Sequence, residues 1–562
     1  MLNVSLRNYN KVSFKTNTLF YGDNLEILRH LVPNESIDLI YLDPPFNSQA
    51  EYNILFKESS GEDSTAQIQA FSDSWRWDIQ SRRAYDYLAL EAPNENIANL
   101  IQALYKFLGK SNMLAYLVMM AIRLIELQRV LKLTGSIFLH CDTTASHYLK
   151  LLMDSIFGVE HFRNEIIWKR TSAHTGEGKI QKFGNVHDTI LFYTRSGSNL
   201  FNPHYTPYDE DYVEKFYNHF DPNGRRWTSS DLMAAGVRYG ESGKPWHGID
   251  PTLRGNHWKF TIKGLEELDS QGKIYFPKKE GGTPRYKRYL DEVHGILLQD
   301  IWIDIPPVSA HAKERLGFQT QKPLTLLERI IKSCSNDGDW ILDPFCGCGT
   351  AVIAAEKLNR HWIGIDITWL AINLVKGRLN NMFPGIQFKI EGEPRDIGAA
   401  RELAKDRYQF QWWALSLIDA RPVGSTPTRP REGRKGADEG IDGWLRFADG
   451  AEGHVEKIVV QVKSGHVGVK DIRELRDVVS RQKAAIGLFL TLEEPTSEMI
   501  KEIKITDPYV SSTWKHEYPK IQILTINDLL TGKRPNIPPT TSVYQEAPIA
   551  KRASNHQQKS LF

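Results

Sequence analysis

The residues best suited to chemistry are Asp43, Pro44, Pro45 and Phe46, which follow the apolar, β-branched run 37–42. That run reads as a buried strand. The tetrapeptide leaves it at the carboxyl end, where open α/β sheets bind their ligands. Two consecutive prolines fix two φ angles and push each preceding residue towards extended geometry. The product is a rigid elbow that aims backbone carbonyls, with an acid before it and an aromatic face after it. Such an elbow suits a flat, amino-bearing base; taken alone, a plain surface turn is the competing reading.

A second cluster is Asp343-Pro344-Phe345-Cys346-Gly347-Cys348-Gly349-Thr350, between a strand over 340–342 and a helix expected from about 351 to 358. Gly347 and Gly349 let the backbone turn tightly and approach a ligand, and the helix that starts there offers free N–H groups. The next strand, 362–365, ends on Asp366, placed to accept from ribose hydroxyls. A nucleoside cofactor follows from this unit. The loop has no Gly-Lys-Ser/Thr, which excludes a P-loop, and Val352 stands where a dinucleotide site needs a third glycine. Asp343 would repel a pyrophosphate but suits the ammonium of a methionine moiety. S-adenosylmethionine fits best, its carboxylate toward the helix N-terminus; a structural β–α turn is the bland alternative.

A third set lies near the C-terminus. In the strand 457–463, Gln461 and Lys463 share one side while Ile458, Val460 and Val462 share the other. A polar face with a side-chain oxygen and an ammonium, beside an acid on a neighbouring strand, could hold Mg²⁺ and an activated water.

These groups need a scaffold, and alternating elements supply one. A strand at 19–21 and the turn Gly22-Asp23-Asn24 lead to a helix over 25–31, and the Asp43 strand follows. Residues 57–115 read as a mostly helical insertion. An apolar helix over 114–131, a strand over 136–140, a helix over 149–156 and strands at 166–168 and 189–193 come next. The class is α/β, with a mostly parallel, doubly wound sheet. From about 200 to 300 the pattern dissolves into Gly, Pro, aromatic and basic residues, such as 273–279 and 284–288. That mixture suits phosphate contact and base stacking, or a solvated, loop-rich subdomain. A helix over 324–334 restores order, and later come a helix over 399–417 and strands at 485–490 and 521–524, which suit a small mixed sheet.

The 562 residues require more than one core. No apolar run is long enough to cross a bilayer, and the N-terminus lacks a signal-peptide pattern. The four cysteines, Cys141, Cys334, Cys346 and Cys348, form no Cys-x-x-Cys pair, so neither a disulfide framework nor a zinc site is indicated. A reducing cytoplasm is the simple inference. The net charge of +2 is uninformative, so a nucleic-acid partner would be met by local basic patches.

Together the first two clusters resemble the β order of DNA amino-methyltransferases: the Asp-Pro-Pro-Phe motif early, a target-recognition region mid-chain, the cofactor loop last. Thr320-Gln321-Lys322-Pro323 resembles the family's remaining cofactor motif, and Gly22-Asp23-Asn24 and Asn164-Glu165-Ile166-Ile167-Trp168 match further blocks. The likeness covers about 15–380. It implies a Rossmann-like methyltransferase sheet in permuted motif order, catalysis at Asp43, Pro44, Pro45 and Phe46, and cofactor contacts from Asp23, Lys322, Pro323, Asp343, Pro344, Phe345, Gly347, Gly349, Thr350 and Asp366. It also implies double-stranded DNA as partner, with room for a homodimer, and S-adenosylmethionine as methyl donor. The acid heading the first motif resembles adenine-N6 more than cytosine-N4 enzymes, and RNA stays open as a target. Release-factor glutamine methyltransferases carry Asn at the Asp43 position and lack the mid-chain insert. Cys348 departs from the family's common Ser, with little consequence expected.

The C-terminal Asp442…Gln461-x-Lys463 pattern resembles Mrr-like PD-(D/E)xK restriction endonucleases. The resemblance makes Asp442 and Gln461 Mg²⁺ ligands and Lys463 the group that stabilises phosphate charge or orients water. Glu402 and Asp438 are further candidate acids. The expected layout is a catalytic half over 1–199, a recognition region over 200–300, a cofactor-binding half over 301–395, a nuclease domain over 396–540 and a flexible tail over 541–562. The expected function is adenine-N6 methylation joined to restriction, as in restriction–modification or phage defence. Its rivals are a modification enzyme with a DNA-binding tail domain, and a sensor of modified DNA.

Overall fold

The computed structural model describes residues 14–45, 77–171, 183–278, 282–308, 314, 321–422, 440–449 and 455–539. Phe46, Thr320 and Asp438, most of the expected insertion before Trp77, and the tail from 541 lie outside the described residues. The chain divides into two compact units, Pro203–Gln299 and the remainder.

The larger unit holds a nine-stranded sheet. Its strands are β1 (Thr18–Tyr21), β2 (Ile37–Leu42), β3 (Leu131–Cys141), β4 (Phe162–Lys169), β5 (His187–Thr194), β6 (Ile301–Trp302), β7 (Trp340–Asp343), β8 (His361–Asp366) and β9 (Lys389–Glu391). Their spatial order is β6-β4-β5-β3-β2-β7-β8-β1-β9. Only β5 runs against its neighbours, pairing antiparallel with β3 and β4; the other pairings are parallel. From β7 the chain winds to β8, and from β2 it winds to β3 on the opposite side. The order therefore reverses between β7 and β2, which pair Ile341 with Leu39 and Leu342 with Ile40. Both motif loops leave carboxyl ends of these adjacent parallel strands, at the crevice where such sheets bind ligands.

Helices α1 (Asn24–Leu31), α2 (Ile79–Leu90), α3 (Glu95–Leu108), α4 (Asn112–Val130), α5 (Ser146–Phe157), α6 (Leu324–Cys334), α7 (Thr350–Lys357) and α8 (Trp369–Met382) connect the strands. α4 starts on a side-chain cap, Ser111 accepting from Leu114 N–H, and buries Leu114, Leu117, Leu124 and Leu127 completely. Each such leucine contributes roughly 2 kcal/mol of burial.

The C-terminal region adds a five-stranded mixed sheet, β10 (Arg421–Pro422), β11 (Gly443–Ala448), β12 (Val455–Lys463), β13 (Ile486–Thr491) and β14 (Ile521–Thr525), in that spatial order. The first three are antiparallel to one another and the last three parallel. The single helix expected over 399–417 is two, α9 (Ile397–Leu403) and α10 (Arg407–Ser416). Asp406 causes the break: its carboxylate accepts the N–H groups of Tyr408 and Gln409 and restarts the helix. α10 locks onto α8, since Gln409 Oε1 accepts from Trp369 N at 2.8 Å and Ser416 Oγ from Trp369 Nε1 at 3.0 Å.

The smaller unit is built rather than loop-rich. Strands His219–Phe220, Arg226–Asp231, Arg285–Tyr289 and Ile274–Tyr275 form an antiparallel sheet. A second cluster, Leu232, Trp246, Trp258, Leu265 and Ile274, forms its core. Several cations read as free for phosphates are committed inside it: Lys287 to Asp221 at 3.0 Å, Arg285 to Asp231 at 2.7 Å and Lys273 to Glu292 at 2.8 Å.

Candidate active site

β2 carries its buried run straight into Asp43, Pro44 and Pro45. Asp43 is held by one strong contact: Lys322 Nζ lies 2.6 Å from Oδ2, with both side chains mostly shielded from solvent. Oδ1 is buried and has no hydrogen-bond partner among the described residues. Leaving such an acceptor unpaired costs about 1–3 kcal/mol, so Oδ1 is the oxygen of this carboxylate suited to accept from a donor. The sequence reading put Lys322 on the cofactor. In the structure its ammonium pairs with Asp43, an opposite charge that offsets the cost of taking it this far from water. Pro323 follows as the N-cap residue of α6.

On the neighbouring strand, Asp343 is 4% exposed and its Oδ1 accepts from Phe345 N at 3.1 Å. Burial pushes its carboxyl well above the ordinary carboxylate range, against that hydrogen bond, and the nearby charges of Asp43 and Asp366 push the same way. Phe345 packs against the sheet's core, and the Pro344 carbonyl accepts from Asn24 Nδ2 at 2.8 Å. Gly347 and Gly349 adopt φ of 48° and 76°. The helix that follows, α7, begins without any side-chain cap, which leaves its first N–H groups for an anion. Thr350 Oγ1 touches Cys348 Sγ at 3.5 Å, and Arg378 donates to the Cys348 carbonyl.

Asp366 shapes the loop as well as facing it. Its Oδ2 accepts Gly347 N–H at 2.9 Å, and its Oδ1 accepts from Thr368 N and Oγ1 at 2.8 and 2.7 Å. Asp23 caps α1 through Leu25 N at 2.9 Å and takes an ion pair from Arg123 at 3.0 Å. Arg123 also donates to Asn24 Oδ1 at 2.7 Å, so a buried guanidinium ties the first turn to the cofactor loop. Sequence reasoning assigned Arg123 no role; its one advance signal was a cation in the middle of the apolar run of α4. The donors present fit S-adenosylmethionine: a carboxyl for the ammonium, an uncapped helix for the carboxylate, and a glycine turn too tight for side chains.

The C-terminal set does not fit Mg²⁺. β12 is a central strand buried on both sides, and Gln461 is 5% exposed rather than on an open polar face. Gln461 spends its Nε2 on the Gly440 carbonyl, and Asp442 Oδ2 accepts from Val462 N at 2.6 Å. That leaves Gln461 Oε1 buried and unpaired among the described residues, a single oxygen beside an acid already engaged. Lys463 pairs with Asp471 at 3.5 Å. Glu402, the other described candidate acid, pairs with Lys405 at 2.6 Å. Among the described residues no three His, Cys, Asp or Glu side chains group to hold a metal. The physical reason is local: the Gln461 amide goes to the Gly440 carbonyl, Asp442 to the Val462 N–H, and Lys463 to Asp471, which caps the following helix.

An acid-proline elbow and a glycine loop at adjacent carboxyl ends, with a single antiparallel strand in an otherwise parallel sheet, define an amino-methyltransferase. Residues 37–377 match the N6/N4 profile described as DNA methylase, and the chain belongs to that family of S-adenosylmethionine-dependent enzymes. The type II methyltransferase M.EcaI of Enterobacter cloacae is 30% identical over 363 residues, 64% of this chain and 69% of the relative. The Mod subunit of the type III restriction-modification enzyme StyLTI of Salmonella typhimurium is 28% identical over 357 residues, 61% of this chain and 50% of that one. A putative DNA modification methylase from Thermus thermophilus, solved with S-adenosyl-L-methionine, superimposes at a TM-score of 0.31 with 16% identity, over 66% of this chain and 99% of that one. Residues 429–531 match a profile described as NACHT-associated inactive Restriction Endonuclease 1. No helix among the described residues is long and apolar enough to cross a membrane.

Proposed function

We propose that this enzyme methylates the N6 amino group of adenine in double-stranded DNA, and that its C-terminal domain contacts DNA without cutting it. The observation that carries the first half is the buried, unpaired Oδ1 of Asp43 beside an Oδ2 already held by Lys322. An exocyclic amino nitrogen is a poor nucleophile because its lone pair is delocalised into the ring. Asp43 Oδ1 and the Pro44 carbonyl accept the two amino hydrogens and draw the nitrogen towards sp³. Lys322 pairs with the Asp43 carboxylate and fixes which oxygen faces the base. Bound S-adenosylmethionine supplies the electrophilic methyl, its ammonium on Asp343 and its carboxylate at the start of α7. The protein's contribution is positioning and preorganised charge. The base leaves the duplex at a cost of a few kcal/mol, and Phe46 is its stacking partner on the sequence reading. An acid rather than Ser at the head of the elbow favours adenine over cytosine.

Against cleavage stand the committed groups around Asp442 and the inactive character of the matched endonuclease profile. The whole then serves modification within a restriction–modification or phage-defence setting. Incubation with DNA and cofactor, followed by nucleoside mass spectrometry, tests the base: N6-methyladenine is expected, and N4-methylcytosine overturns the assignment.

A further inference from the structure

Beneath the elbow lies a buried polar chain that the positioning argument does not use. Tyr41 stands two residues before Asp43 on β2, so the two side chains leave the same side of the strand. The Tyr41 hydroxyl lies 2.9 Å from His140 Nδ1 on β3, and His140 Nε2 lies 3.1 Å from Asp188 Oδ2 on β5. Three adjacent strands thus give one residue each. Tyr41 is 2% exposed, His140 0% and Asp188 2%.

Partners fix the hydrogens. An ionised carboxylate only accepts, so Nε2 carries the imidazole hydrogen and Nδ1 accepts from the tyrosine O–H. Burial opposes a charge on Asp188, but the His140 hydrogen bond and the charges of Lys322 and Arg170 hold its carboxyl below the ordinary range and keep it ionised. Arg170 Nε stands 3.1 Å from Asp188 Oδ1, at an angle too poor for a hydrogen bond. The Trp168 ring of β4 stands edge-on to His140, with centroids 5.8 Å apart. Cys141, the next residue on β3, is a thiol that burial keeps neutral. Burial keeps the Tyr41 hydroxyl protonated, and the carboxylates of Asp43 and Asp188 push the same way.

Methyl transfer to an amino group creates a proton to dispose of. As the nitrogen gains its methyl in the transition state, it takes on positive charge and carries one hydrogen too many. We propose that Tyr41, His140 and Asp188 form the relay that removes this proton, a role that rests on the function proposed above. The N–H bond breaks and its electron pair stays on nitrogen. The hydrogen first accepted by the Pro44 carbonyl passes to Tyr41 Oη, with Asp43 Oδ1 keeping the other, while the tyrosine's own proton moves to His140 Nδ1. The product is an imidazolium paired with the Asp188 carboxylate, so charge is conserved and no co-reactant is needed. When the product leaves and water enters, the proton returns along the same path. In this relay Tyr41 is the group that takes the proton; His140 and Asp188 act through it as positioning residues.

The test uses the full-length protein with methyl-labelled cofactor and duplex DNA. Tyr41→Phe removes one oxygen from an intact ring and is expected to lower single-turnover transfer about 10- to 100-fold. His140→Asn should do the same, and both should flatten the acid limb of the rate–pH profile and reduce the solvent deuterium isotope effect. Cofactor and DNA affinities should stay within about twofold of wild type, because no binding group is touched. Normal rates and an unchanged pH profile in Tyr41→Phe would overturn the relay. So would a loss matched by weaker cofactor binding, since that marks a structural role. If wild type itself transfers no methyl to an amino group, the function proposed above has failed instead.

Discussion

At the residue scale, the active site is a set of acids given different tasks by their surroundings. Asp43 is paired with Lys322 at 2.6 Å, Asp366 is spent on the Gly347 turn, and Asp343 is buried with only a backbone N–H to steady it. That difference predicts a proton linkage. Burial raises the Asp343 carboxyl in the free protein, whereas a cofactor ammonium beside it would favour the ionised form and lower it. Cofactor binding should therefore release a proton, and affinity should rise with pH until the free protein's Asp343 is ionised. Calorimetry in buffers of different protonation enthalpy measures this directly. Asp343→Asn should abolish the linkage and weaken binding, by about 10-fold for one lost ionic contact; proton uptake on binding would contradict the assignment.

At the scale of elements, the carboxyl ends of β2 and β7 do most of the work, because a rigid sheet edge sets two loops side by side. The glycine loop depends on backbone freedom at one position above all. Gly349 has φ of +76°, and a Cβ there would meet Val375 Cγ2 at 2.6 Å. Gly349→Ala should cost about 1–3 kcal/mol in loop conformation, read as a loss of cofactor affinity with an unchanged circular dichroism spectrum. Retained affinity would show that the loop is not the cofactor's cradle. Much of this was legible in sequence: the helix expected over 324–334 and the strands around Asp43, Asp343 and Asp366 carry clear apolar runs and turn signals. The Lys322–Asp43 pair was not legible, since it joins residues on opposite sides of the 203–299 unit and periodicity says nothing about such pairing. The Tyr41–His140–Asp188 chain was hidden for the same reason: Tyr41 and His140 read as ordinary buried strand positions, and Asp188 fell just before the strand expected at 189–193. Strands of the 203–299 unit escaped because they are short and rich in charges that pair across the sheet, as Arg285 does with Asp231.

Over the whole molecule, the C-terminal region is fastened to the methyltransferase sheet through Gln409 and Ser416 on Trp369, directly after the Asp366–Thr368 turn. Polar residues of its central strand are drawn into local contacts, and among the described residues no metal-binding group forms around the spacing that resembled a nuclease. Supercoiled DNA with Mg²⁺ should remain uncut by wild type and by Lys463→Ala alike, whether unmethylated or premethylated by the enzyme; linear products from wild type that vanish in Lys463→Ala would restore the nuclease. The central claim is that Asp43 activates an adenine amino group. Transfer of labelled methyl to duplex DNA, with the product digested to nucleosides, tests it most directly: wild type should yield N6-methyladenine and Asp43→Ala should lose about 10³-fold or more in rate while still binding cofactor. Comparable labelling by Asp43→Ala would contradict it.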